Sequence, residues 1–139
     1  PDPFGILTMS TLNPLRALVA AFPLAFAMPA LADIKDYEFQ LTQYELKQGD
    51  GVVVTVRLID KRTGKAVPDA VIFASRIDME PDGMATMASK LEPMPAPEPG
   101  IYSFRTNLIM EGGWRLSLAA KLQGEVGTLE SRLILKATP

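Results

Sequence analysis

Strict two-residue alternation is the feature that most limits what this chain can become. In residues 52–60, Val52, Val54, Val56 and Leu58 fall on one face, and Thr55 and Arg57 on the other. A strand turns successive side chains to opposite faces, so such a stretch buries one side of a sheet. Its β-branched residues suit that pleated surface. The pattern recurs. Over Tyr37–Leu46, Tyr37, Phe39 and Leu41 oppose Glu38, Gln40 and Thr42. Over 69–79, Val71, Phe73, Ser75, Ile77 and Met79 share a face, opposite Arg76 and Asp78. Over Ile101–Met110, Tyr102, Phe104, Leu108 and Met110 oppose Arg105 and Asn107. Trp114, Leu116, Leu118, Ala120 and Leu122 then oppose Arg115, Ser117 and Lys121, and Leu129, Leu133 and Leu135 point inward from a last stretch, Thr128–Lys136.

Turn signals separate these stretches at Gln48-Gly49-Asp50-Gly51, Thr63-Gly64, Glu111-Gly112-Gly113 and Gly124–Gly127. No helical period appears after residue 32. The pattern predicts an all-β domain of six strands with one long connection. Antiparallel sheets with one buried face alternate in this way, and two such sheets face to face make a β-sandwich. A small barrel is the alternative.

The first 32 residues stand apart. Met9 has the look of a start, with Pro1–Thr8 a cloning remnant or upstream extension. Residues 9–32 have the three parts of a secretory signal peptide: Arg16, an apolar run over Ala17–Ala27 broken by Pro23, and Ala30-Leu31-Ala32 as a cleavage site. An uncleaved N-terminal anchor is the other reading, which the shortness of the apolar run disfavours. Cleavage leaves residues 33–139 as one domain, expected in the periplasm.

Composition narrows the chemistry. The chain has 14 Lys and Arg against 16 Asp and Glu, and these are interspersed. No basic stripe exists to neutralise phosphates, so nucleic acid is not an expected partner. There is no Cys and no His. That excludes Ser-His-Asp and Cys-His catalysis and the usual zinc sites. An exported domain without disulfides fits a bacterial periplasm. No Ser-x-x-Lys or Gly-x-Ser-x-Gly motif occurs, and no enzyme is expected.

One segment breaks the alternation. Asp78–Gly100 is rich in Pro and holds Met79, Met84, Met87 and Met94. It is expected to be a long loop, and such loops inside compact domains are usually functional or disordered. Thioether sulfur is soft, neutral and has no proton to lose, so it suits Cu(I) or Ag(I). Met79, Met84, Met87 and Met94, with Met110 nearby, are therefore the candidate metal ligands. A single helical turn would put Met84 and Met87 on one side. Met79 and Met110 would both end strands on the inward face, at one rim. Met also fills gaps in cores, which is the competing role for all five. Asp78, Glu80 and Asp82 form an acidic group that lacks a calcium-loop pattern and is expected to be a solvated face. Trp114 is expected in the core rather than as a cap on a metal.

Several motifs resemble a known family. Asp78-Met79 is followed by Pro81-Asp82-Gly83-Met84, then by Pro99-Gly100-Ile101-Tyr102-Ser103-Phe104-Arg105-Thr106-Asn107-Leu108. Met110-Glu111-Gly112-Gly113-Trp114 and Leu116–Glu125 follow. Over roughly Val52–Leu135 this is similar to the YtkA-like domain, related to the FixH-like proteins. Gly64–Val71 also resembles a join found in bacterial immunoglobulin-like modules. The resemblance implies an immunoglobulin-like sandwich, exported or membrane-tethered. It implies work beside heavy-metal efflux adaptors or in copper delivery to respiratory oxidases. A metal-free envelope module that docks to such a partner, by a sheet edge or the Pro-rich segment, is the alternative function.

Overall fold

The computed structural model describes residues 33–139. The extension assigned to 1–8 and the signal peptide assigned to 9–32 lie outside the described residues. The strands in chain order are β1 (Tyr37–Leu41), β2 (Glu45–Lys47), β3 (Gly49–Asp60), β4 (Lys65–Ala66) and β5 (Val71–Met79), then β6 (Met84–Ser89), β7 (Leu91–Met94), β8 (Ile101–Leu108), β9 (Gly112–Lys121) and β10 (Leu129–Thr138). One sheet runs β2-β10-β9-β5-β6, the other β1-β3-β8-β7 with β4 paired to β3. Neighbours are antiparallel except β2 and β10, which are parallel.

These are two separate sheets, so the fold is a sandwich and not a barrel. A four-strand layer β1-β3-β8-β7 over β5-β9-β10 is the strand order of immunoglobulin domains. The core lies between the layers. Phe39, Val54, Val56, Leu58, Phe104 and Leu108 of one sheet meet Ile77, Met79, Trp114, Leu116 and Leu135 of the other.

Three expectations change. The stretch Tyr37–Leu46 is two strands, because it crosses between layers at the exposed residues Thr42, Gln43 and Tyr44. Asp78–Gly100 is not one long loop. Its middle forms β6 on the edge of one sheet and β7 on the edge of the other, joined by Lys90, with a short 3-10 turn at 80–83 before them and an irregular stretch at 95–100 after them. Pro93 fits because β7 is an edge strand, with a side that needs no donor. Lastly, Val71 and Phe73 face outward, 63% and 56% exposed. The β9 ladder pairs Ala119 with Ala74 but Ala120 with Ile72, leaving Phe73 as a bulge. One extra residue reverses the parity beyond it, so Ile72 packs on the core instead.

The Pro-Gly-x-Tyr motif holds the crossover between layers. The Tyr102 hydroxyl donates to the Val67 carbonyl at 3.0 Å and accepts from the Ala70 N–H at 3.2 Å. Burial raises its pKa above the ordinary phenol value. Gly100 has φ +84°, and a Cβ there would lie 2.6 Å from Ala66 Cβ. Tyr102→Phe leaves two backbone groups without their partner and should cost about 1–2 kcal/mol. Urea unfolding measures this, and a loss under about 0.3 kcal/mol would show that the crossover is held by other contacts.

Candidate metal site

Two turns meet at one end of the sandwich. The first is the single-turn 3-10 helix Glu80–Asp82, which has Pro81 in its first turn and is closed by Gly83 at φ +78°. The second is the link between β8 and β9 that leads into Gly112-Gly113. A Cβ on Gly112 would strike the Asp82 carboxylate and lie 3.1 Å from the Met79 methyl. A Cβ on Gly113 would sit 2.8 Å from Pro81 Cβ. The two glycines thus let the Pro-Asp-Gly turn lie directly on β9. The Gly113 N–H donates to the Asp82 carboxylate at 3.2 Å. Trp114 is fully buried beneath, and its indole N–H donates to the Met110 carbonyl at 3.0 Å. Trp114 is therefore core, as its parity predicts.

The β5–β6 pairing places three methionines at this end. Met79 is fully buried and pairs directly with Met84. Residues opposite one another in an antiparallel pair project from the same face, within side-chain reach. The ladder jumps from Asp78–Ala88 to Met79–Met84, so Ala85, Thr86 and Met87 bulge out. Met84 and Met87 are both half-buried against the core. They occupy a bulged strand, and the helical turn expected for them does not form. The bulge frees Met87 from strict alternation, while Met84 stays in the ladder opposite Met79.

The other two methionines differ. Met110 is not an inward strand residue: β8 ends at Leu108, and Met110 lies in the following turn, 38% exposed. The turn is needed to bring Gly112 under Asp82, and it carries Met110 out of the strand. Met94 belongs to the opposite sheet, where it pairs with Ser103. It lines a hollow with Ile72, Ser75, Tyr102 and Phe104. Ser75 is four residues from Met79, or about 13 Å along the strand. Met94 is thus not part of the group around Met79.

The acidic trio is not a solvated face at Asp78, whose side chain is fully buried. Arg76 donates to it at 2.8 Å, Arg115 at 3.1 Å and the Glu80 N–H at 3.0 Å. Burial alone would raise this carboxyl's pKa, but those three donors outweigh it and hold the group below the ordinary carboxylate range. Glu80 lies 3.8 Å from Arg115, and Asp82 is turned to Gly113. Neither Arg76 nor Arg115 belongs to a motif that marks it as a partner of Asp78. The signal was available in part, because Arg76 and Asp78 share a strand face by their spacing. Arg115 reaches Asp78 only through the β5–β9 register. Among the described residues, no three or more His, Cys, Asp and Glu side chains group to hold a metal ion.

The strand order and the packed turns define an immunoglobulin-like module whose Pro81-Asp82-Gly83 turn lies on Gly112 and Gly113. A family model described as YtkA-like matches residues 31–119, and the chain belongs to the YtkA-like family. The match stops two residues short of the end of β9, so β10 lies beyond it. Among solved structures, the chain is similar to the Lin-41 filamin domain, at 17% identity and a TM-score of 0.45, covering 74% of this chain and 92% of that one. It is also similar to the ZirS C-terminal domain, at 11% identity and a TM-score of 0.43, covering 95% of each. No curated protein matches it. No helix among the described residues is long and apolar enough to cross a membrane.

Proposed function

We propose that this YtkA-like domain is an exported, non-enzymatic accessory module that binds Cu(I) or Ag(I) through Met79, Met84 and Met87. Its setting is the periplasm, in copper handling or heavy-metal efflux. The observation that carries the reading is the direct cross-strand pairing of Met79 with Met84, with Met87 in the adjacent bulge. Three soft, neutral donors at one strand end suit a soft monovalent ion. Met79 is sealed from solvent, so an ion would enter past the half-buried Met84 and Met87. Met110, exposed at the same end, is a further donor for capture or transfer. A delivery or efflux protein of the envelope is the proposed partner.

Anaerobic titration of Cu(I) or Ag(I) against a competing chelator tests this. Met84→Leu with Met87→Leu should weaken binding by about tenfold or more, which is a loss of about 1.4 kcal/mol. Leu nearly conserves volume, so fold stability should change by less than about 1.5 kcal/mol. Met94→Leu should bind like wild type. If wild type binds neither ion, or the double variant binds equally well, the metal reading fails. A metal-free envelope module that docks to an efflux adaptor is then the better reading. An open groove of about 470 Å³ beside the same turns, lined by Tyr44, Ile134, Gly112 and Asp82, supports that second reading.

A further inference from the structure

The longest open strand edge in the sandwich belongs to β10. On one side β10 pairs with β9 from Leu129 to Ala137, but on the other β2 covers only Lys136–Thr138. Leu129–Leu135 is left with no paired strand among the described residues. The remaining edges are shorter or obstructed. β7 is four residues and contains Pro93. β6 is bulged, and its Ala85 carbonyl accepts from Arg76 at 2.7 Å. β1 is five residues.

The direction of the free groups follows from the ladder. The Lys136 N–H points away from β9, since it donates to the Tyr44 carbonyl at 2.7 Å. The β9–β10 register is unbroken, so Ile134, Arg132 and Glu130 also turn their N–H and C=O groups outward. Those same three residues are exposed, while Leu129, Ser131, Leu133 and Leu135 turn inward. An edge of this length with unpaired groups is a template for another strand.

The edge sequence Leu129-Glu130-Ser131-Arg132-Leu133 complements itself about Ser131. A two-fold axis there sets two copies antiparallel, with Ser131 against Ser131. Glu130 of each copy then faces Arg132 of the other. Both residues turn their backbone groups outward, so they form hydrogen-bonded pairs and their side chains meet on the outer face. Leu129 falls opposite Leu133, on the core side. A shift that centred the axis on Arg132 would set like charges together, which destabilises a pair. No described carboxylate lies in salt-bridge range of Arg132 within the chain.

We propose that two copies of this chain associate through β10, edge to edge, so that one sheet continues across the two-fold axis. The interface is self-complementary, as a C2 contact must be. Ser131 pairs with Leu118, six residues along β9 from Gly112, so about 20 Å of strand separates the axis from the methionine end. Both methionine ends stay open, and the proposal stands independently of metal binding.

Sedimentation velocity on the full chain, over concentrations up to about 1 mM, tests it. Wild type should show a reversible monomer–dimer equilibrium. Glu130→Arg or Arg132→Glu alone turns two attractive pairs into two repulsive ones, and should raise the dimer Kd roughly tenfold. The double exchange Glu130→Arg with Arg132→Glu should restore the wild-type value to within about threefold. Arg132→Pro removes an outward N–H without touching the β9 ladder, and should abolish the dimer with the far-ultraviolet spectrum unchanged. A chain that stays monomeric throughout, single variants that associate like wild type, or a double exchange that fails to recover would each overturn the proposal.

Discussion

Trp114→Ala should destabilise the domain by about 3–5 kcal/mol, the usual cost of removing a large buried aromatic side chain. Trp114 is the largest fully buried side chain among the described residues. It sits in the middle sheet position, flanked by β5 and β10 through its strand, and packs between the layers. Its loss also frees the Met110 carbonyl, the hydrogen bond that sets the β8–β9 turn. The cavity cannot collapse easily, because Gly112 and Gly113 are already clamped under Pro81 and Asp82. Chemical denaturation should show the full loss. A cost under about 1 kcal/mol would mean that the ring contributes little to the core. Trp114→Phe should cost less, since it keeps most of the apolar volume.

Asp78→Ala should cost about 3 kcal/mol. Removing one member of a buried ion pair strands its partner, which typically costs 3–5 kcal/mol. The lower end applies because Arg76 is half exposed and solvent screens it. Arg115 is the deeper partner, and its Nε is already buried with no partner among the described residues. Loss of Asp78 would leave that guanidinium with only Glu80 at 3.8 Å. The pH dependence carries a definite sign. Asp78 titrates below its ordinary value of 3.8, so the folded state favours the ionised form. Its contribution is complete above that value and is lost as pH falls through the lower, folded-state pKa. The stability gap between wild type and Asp78→Asn should therefore shrink as pH drops below about 4. A gap that stays constant from pH 7 to 2 would mean the carboxylate charge does not matter.

Much of the sandwich is legible in the alternation. Val54, Val56 and Leu58 are buried, as are Leu116, Leu118 and Ala120, and each lies where a two-residue period puts it. Local spacing works there because those strands are unbroken ladders, and burying one face is the dominant favourable contribution to folding. It fails where a residue is inserted. Phe73 looks inward by spacing from Ile77, but the bulge opposite Ala119 and Ala120 is a property of the partner strand. Tyr37–Leu46 looks like one strand, because nothing local shows that its two halves belong to different layers.

The candidate site divides in the same way. Its chemistry follows from composition, since a chain with seven Met and no Cys or His has only thioether sulfur to offer a soft metal. Which methionines stand together does not. Met94 is near Met87 in sequence, yet it pairs in the opposite sheet, while Met79 and Met84 become direct neighbours across a turn. Met110 looked like a strand end and proved to be a turn residue. Asp78 looked solvated, because its two arginine partners reach it across strands and along them.

By itself the sequence determined the all-β class, the buried Trp114, the family motifs and the lack of imidazole and thiol chemistry. Each of these is a local pattern or a simple presence or absence. Tertiary structure alone decided the switch of strands between layers, the bulges at Phe73 and Ala85–Met87, the burial of Asp78 and the open edge of β10. Those depend on which strand lies beside which, and so on hydrogen bonds between residues distant in the chain. A two-residue period says which way a side chain points relative to its neighbours. It does not say what stands opposite, and in this protein the partner strand is what resets the register.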